Sequence, residues 1–372
     1  MSSFSKKPVA VMAIRQMARS TGAVRIAQQQ IKVLVDLGYH VYVLAERVDK
    51  KYVGLDGVLY RKILRWPFKG KWRRIKFNRS VQRWCKRYRP DLLISHGDVE
   101  NSDVLYMHNC IHLANERLGF PPSNDADVAF IHDRILEGRR FKRLVVNSRL
   151  MAEDFKTRYG IDEGSMSVLY PSYDSEIFNV DRAKAARKEM RKILLLPDDA
   201  CLVGLVTSGN FHKRNVEFFV RIAYSLSQKS KKDYRFLVVG DDDPTPYQSL
   251  AAAMGIANRF AWLRPMEEVH KVYGALDIFV LPARIEEFGC VVLEAMACGV
   301  PVVVSRWVGA SELLLTRHPQ LVLHDYLPEK WAARIEQACG DKALGEALSR
   351  LALNHSHDRQ YETLKRNLLG LV

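Results

Sequence analysis

The segment from Glu286 to Pro301, EEFGCVVLEAMACGVP, sets two carboxylates, Glu286 and Glu294, on either side of an apolar run and closes on Gly299 and Pro301. Ahead of it, Asp277-Ile-Phe-Val-Leu-Pro282 has the pattern of a buried strand ended by proline, which predicts Glu286 on a loop at a strand's C-terminal end. Ligands of open α/β sheets bind at such ends. Leu293, Glu294, Ala295, Met296 and Ala297 favour a helix, with Gly299 placed for a left-handed C-terminal cap and Pro301 barring continuation. The loop through Phe288, Gly289 and Cys290 and the first helical turn then offer backbone N–H groups to an anion. Glu294 is positioned to accept a hydrogen bond from a hydroxyl beside that anion. A sugar joined to a phosphate meets both demands, whereas a solvated acidic turn and an exposed helical glutamate are the ordinary reading of two arbitrary glutamates.

The full string, E-x-F-G-x-x-x-x-E-A-M-A-x-G-x-P-V, resembles the donor-site signature of retaining GT-B glycosyltransferases of glycosyltransferase family 4, closely so from Leu281 to Val304. The resemblance implies an α/β protein of two doubly wound Rossmann-like domains facing across a cleft. It implies that Glu286 lies near the transferred sugar and Glu294 binds ribose hydroxyls. The loop Thr207-Ser-Gly-Asn-Phe-His-Lys-Arg-Asn215 follows a predicted strand and carries Gly209, Asn210 and two adjacent cations, Lys213 and Arg214. A nucleoside diphosphate gains charge as the glycosidic bond breaks, so fixed cations here stabilise the transition state more than the ground state. The family's loop has an Arg/Lys pair; here the order is reversed, which matters because only a guanidinium binds bidentately.

Gly240, Leu263 and Arg264 are candidates to touch the nucleobase and ribose. Asp241-Asp-Asp243 invites a metal reading, but Pro244 follows directly and the two cations can neutralise a diphosphate, so neither a metal nor another cofactor is expected. Arg19-Ser-Thr-Gly-Ala-Val-Arg25 resembles the family's first-domain glycine loop with Gly22 alone in place of two adjacent glycines. His108, with Asn109, falls near the family's acceptor-side histidine. A retaining transfer needs no strong base, so His108 is expected to position a hydroxyl or the sugar, with a buried core histidine as the alternative.

Residues 1–100 hold 22 Lys+Arg against 7 Asp+Glu, which accounts for the whole formal charge of +15. Between Arg61 and Arg89 lie thirteen basic side chains and no acidic one, interleaved with Trp66, Phe68, Trp72, Phe77, Trp84 and Tyr88. Lys69, Lys71, Trp72, Arg73, Arg74 and Lys76 are read as a patch for an anionic membrane surface. No run of about eighteen apolar residues occurs, so membrane contact is expected to be peripheral, at the cytoplasmic face. Six scattered cysteines without metal-ligand spacing suit reduced thiols, and no disulfide is expected.

These residues need two sheets to hold them, and 372 residues with 48% hydrophobic content suffice for two domains. Apolar strands at Val9–Ile14 and His40–Leu44 flank a helical stretch, and the pattern restarts at Cys201–Val206 with Tyr234–Val239, Ile278–Leu281 and Pro301–Val304. We expect an acceptor domain over 1–168, with a C-terminal helix, 355–372, crossing back onto it, and a donor domain over 169–354. Only the basic stretch 55–89 reads ambiguously.

Asp103-Val-x-Tyr, Asn210-Phe-His-Lys-Arg-Asn-Val216 and the overall length resemble the lipopolysaccharide core glucosyltransferases. That resemblance implies a UDP-linked hexose, glucose first, and a lipid-linked, often phosphorylated oligosaccharide acceptor. Two other readings remain: a GT-B nucleotide-sugar epimerase, and a nucleic-acid-binding protein acting through its basic first hundred residues.

Overall fold

Both halves of the chain alternate buried apolar strands with amphipathic helices, and each closes its own parallel sheet. The computed structural model describes residues 7–18, 21–122, 124–230 and 232–370, which fall into two units, Met1–Pro171 with Asp358–Val372, and Ser172–His357.

In the first unit seven parallel strands run in the order Val58–Lys62, His40–Ala45, Val9–Ala13, Leu92–Ser95, Ser102–Met107, Phe141–Val146 and Met166–Val168. Alternate side chains serve opposite faces. Ala10 and Met12 pack with Ile31 and Leu34 of the helix Gly22–Asp36, while Val11 and Ala13 pack with Phe77 and Val81 of the helix Lys71–Tyr88. The ambiguous basic stretch is thus an edge strand followed by an amphipathic helix. The C-terminal helix His357–Leu369 seats Leu364 and Leu368 in the first unit's core, and the Gln360 amide donates to the Tyr170 carbonyl at 2.6 Å.

The second unit has six parallel strands in the order Phe260–Leu263, Tyr234–Val239, Cys201–Val206, Ile278–Leu281, Val302–Ser305 and Val322–Leu323. In both sheets strand order reverses in the middle, between Val9–Ala13 and Leu92–Ser95 and between Cys201–Val206 and Ile278–Leu281. In open α/β sheets the loops leaving the strands' C-terminal ends part at such a reversal, which is where ligands of this architecture bind.

One expectation is corrected. Cys201 and Cys339 form a disulfide across 138 residues of sequence. Cys201 opens a central strand and Cys339 follows the helix Pro328–Ala338, so the bond lies at the end of the sheet away from its ligand crevice. Nothing local in the sequence couples two cysteines so far apart. Cys85, Cys110, Cys290 and Cys298 are not in disulfides.

Candidate functional site

At the second unit's reversal point, the loops after Cys201–Val206 and Ile278–Leu281 come together. The first is shaped by close approach. Gly209 has φ +146°, and a Cβ there would stand 3.1 Å from the Asp241 carbonyl oxygen; a Cβ on Gly240 would collide with Phe211. Asn210 is left-handed, at φ 56°, and its side chain accepts from the Lys213 amide at 3.0 Å, starting the short helix Phe211–Arg214. That turn directs Lys213 and Arg214 toward the second loop.

There each cation meets a carboxylate. Lys213 Nζ lies 2.5 Å from Glu287 Oε2, and Arg214 reaches Glu286 Oε2 at 2.6 Å. The side chains are only 9–17% exposed, so these are shielded pairs rather than surface contacts. Burial disfavours the Lys213 ammonium, yet Glu287 and Glu286 outweigh it and raise its pKa, keeping the cation. Glu286 is held at the backbone as well: its amide donates to the Trp307 carbonyl at 2.8 Å, and its carbonyl accepts from Gly309 at 2.9 Å. Gly289, at φ +91°, leaves room that a Cβ would take 3.1 Å from Glu286 Cγ. The helix Cys290–Ala297 begins there without a side-chain cap and ends at Gly299, φ +75°.

Phe288 is buried, Cys290 is half-buried, and Glu294 is 5% exposed, with one carboxylate oxygen accepting from the Tyr273 hydroxyl at 3.0 Å. The Gly240 amide donates to the Leu263 carbonyl at 3.0 Å, and Arg264 pairs with Asp241 at 2.8 Å on the surface. The aspartate triplet has local work: Asp242 accepts from the Phe211 amide at 2.8 Å and Asp243 from the Thr245 amide at 3.0 Å. Among the described residues no group of three or more His, Cys, Asp or Glu side chains is arranged to hold a metal ion. The second unit thus gathers Glu286, Lys213, Arg214, Asn210 and Gly209 into one constellation, able to exchange carboxylates for phosphate oxygens on its two cations. Glu287, read from sequence only as part of a solvated acidic turn, joins them as the fourth charged group.

In the first unit Gly22 opens the helix Gly22–Asp36, capped by the Thr21 side chain accepting from the Val24 amide at 3.3 Å; Arg19 and Ser20 lie outside the described residues. His108 is half-buried just past Ser102–Met107, and Asn109 is exposed. His108 stacks on buried His96, with ring centroids 5.1 Å apart. Burial holds His108 and His132 down to about 4, the first helped by His132, and lowers His96 strongly. His96, His132 and the wholly buried Gln30 were not singled out from sequence, although a glutamine on the apolar face of a helix signals a buried polar network.

The anion patch needs correction. Arg73 and Arg74 are 8% and 7% exposed, because helical spacing puts them on the face that carries Phe77 and Val81. Arg74 pairs with Asp98 at 2.6 Å and Asp127 at 3.1 Å, and Arg73 donates to the carbonyls of Trp66 and Pro67. Neither can meet a surface. Lys69, Lys71 and Trp72 remain exposed, joined by Leu64 and Phe68 at 73% and 70%, while half-buried Lys76 lies 5.0 Å from the Trp66 ring. No described helix is long and apolar enough to cross a membrane.

Two doubly wound units with ligand crevices at their reversal points define a GT-B fold, and solved structures agree. WaaG, a glycosyltransferase involved in lipopolysaccharide biosynthesis, superposes with a TM-score of 0.75 at 17% identity over 96% of this chain and 98% of its own. Anabaena Alr3699/HepE in complex with UDP and glucose does so at 0.72 and 16%, over 98% and 100%. At these identities the likeness is one of fold. Residues 20–177 match the model of Glycosyltransferase Family 4 and residues 203–341 that of Glycosyl transferases group 1, which together place the chain among family 4 GT-B glycosyltransferases. The D-inositol 3-phosphate glycosyltransferase of Mycobacteroides abscessus is 30% identical over 61% of this chain and 51% of its own length, and that of Stackebrandtia nassauensis 29% over 61% and 53%. The chain spans about half the length of these curated relatives.

The depressed histidines make stability depend on pH. Groups near 4 in the folded chain and about 6.5 unfolded leave the unfolded state binding more protons between those values, so stability is fully present above about pH 6.5 and is lost as pH falls toward 4. The urea midpoint is expected to drop across that window, and His132→Gln to flatten the drop. A wild-type midpoint constant from pH 7 to 4.5 would contradict this.

Proposed function

We propose that this chain is a retaining, metal-independent glycosyltransferase that moves a hexose, glucose as first candidate, from UDP to a lipid-linked core-oligosaccharide acceptor of lipopolysaccharide. The observation that carries the reading is the crossed pairing of Lys213 with Glu287 and Arg214 with Glu286 at the strand ends of the second unit. When a diphosphate enters, its oxygens take over the two cations and release Glu286 to face the sugar. Charge that grows on the leaving phosphate is then met by groups already in place, without a divalent ion. The departing phosphate oxygen accepts the acceptor's proton on the same face of the sugar, which delivers retention without a strong base. A UDP-bound solved neighbour and relatives that act on a phosphorylated acceptor support the donor and the anionic character of the acceptor.

The membrane part of the proposal rests on exposed Leu64, Phe68 and Trp72 beside Lys69 and Lys71. Apolar side chains rimmed by cations suit the headgroup region, where each Lys or Arg contributes about 1 kcal/mol on anionic lipid. The nucleic-acid alternative would use the same charge but leaves the Lys213–Glu287 and Arg214–Glu286 pairs without a task.

Glu286→Ala is expected to lower kcat/KM with UDP-glucose roughly a hundredfold while changing UDP affinity only a few-fold, read by coupled UDP release; equal losses in both would place Glu286 in nucleotide binding instead. Phe68→Ser combined with Trp72→Ser is expected to abolish co-flotation with phosphatidylglycerol-containing vesicles and spare UDP release. Undiminished flotation would remove the membrane reading.

A further inference from the structure

Gln30, on the helix Gly22–Asp36, is a fully buried amide that the donor site does not use, and its partner His96 follows a strand at the reversal point of the first sheet. Its Oε1 lies 3.0 Å from His96 Nε2, and the Met12 thioether sulfur lies 3.0 Å from the same nitrogen. His96 Nδ1 is 2.8 Å from His108 Nε2. Within the described residues the His108 Nδ1 atom is buried and makes no well-formed hydrogen bond, with the Asn147 side chain as its polar neighbour.

A thioether has no proton to give, so His96 Nε2 must carry the hydrogen, shared between the sulfur and the Gln30 oxygen. That orientation leaves the Gln30 NH2 toward the Tyr106 phenol, which can accept. A neutral His96 protonated at Nε2 has a bare Nδ1, so the 2.8 Å contact requires His108 to donate from Nε2. His108, kept neutral by burial, then has its lone pair at Nδ1. The opposite tautomer, with the Nδ1 proton turned to Asn147, would set two lone pairs against each other across the His96–His108 contact.

From this chain of contacts we infer that Met12, Gln30 and His96 are positioning residues that fix the His108 tautomer, so that His108 Nδ1 accepts a hydrogen bond from a carbohydrate hydroxyl. The inference rests on the reading of the chain as a sugar transferase for the identity of that hydroxyl, but not for the tautomer. Its consequence is selectivity for a donor group at that position: a deoxy or O-methyl sugar would leave Nδ1 buried and unpaired.

The test is long-range 1H–15N correlation of the histidine rings in the full chain at pH 7, without ligand, alongside UDP-glucose turnover. In the wild type the His96 and His108 protons are expected on Nε2. His96→Phe keeps a stacked ring but removes the acceptor: it should let His108 populate both tautomers and lower kcat about tenfold, with KM for UDP-glucose changed less than twofold. Gln30→Glu retains an acceptor for His96 and should keep the wild-type tautomers. A wild-type His108 protonated at Nδ1, or a His108 tautomer unmoved in His96→Phe, overturns the relay. Wild-type Nε2–H signals with a kcat unmoved in His96→Phe would overturn its role in transfer. Should His96→Phe fail to fold, the wild-type spectrum alone decides the tautomer. Absence of UDP-glucose turnover in a wild type with the expected tautomers would count against the transferase reading, not against the relay.

Discussion

Two shielded ion pairs, Lys213 with Glu287 and Arg214 with Glu286, are what the second unit's crevice is organised around. A lysine and an arginine so little exposed are tolerable only with opposite charge at hydrogen-bonding distance, since desolvation of an unpaired ion costs several kcal/mol. The pairs therefore compensate the burial of both cations. They also make the site responsive, because an anion of greater charge density competes for the same cations. The glycine conformations at Gly209 and Gly289, the left-handed Asn210 and the backbone clasp of Glu286 by Trp307 and Gly309 all serve to bring these four charged groups to one place.

Sheet topology explains why that place exists. A parallel sheet sends every loop that follows a strand to one edge, and a reversal of strand order parts two neighbouring loops. The same rule operates in the first unit, where Arg15 and His96 follow the two strands at the reversal point. The second unit sets two cations against two carboxylates there, and the first sets the stacked His96 and His108 rings beside Arg15 and its partners Glu46 and Asp98.

Legibility in the sequence followed distance along the chain. The Glu286 loop could be read because strand, proline, glycine cap and helix are all local signals, and the Gly209–Arg214 loop for the same reason. The basic helix misled at Arg73 and Arg74. Their spacing from Phe77 and Val81 already pointed inward, but the carboxylates that permit their burial, Asp98 and Asp127, lie far along the chain. The Cys201–Cys339 bond and the Met12–Gln30–His96–His108 chain are likewise products of tertiary folding, joining residues with no shared motif. Only the oddity of a glutamine among apolar helix positions hinted at the second.

Calorimetric titration of the full chain with UDP, ADP and GDP, with and without EDTA, tests the donor site most directly. The account predicts saturable binding with preference for UDP, undiminished by EDTA and lost when Lys213 and Arg214 are both replaced by methionine. No binding by any of the three nucleotides, or binding that EDTA abolishes, would contradict it.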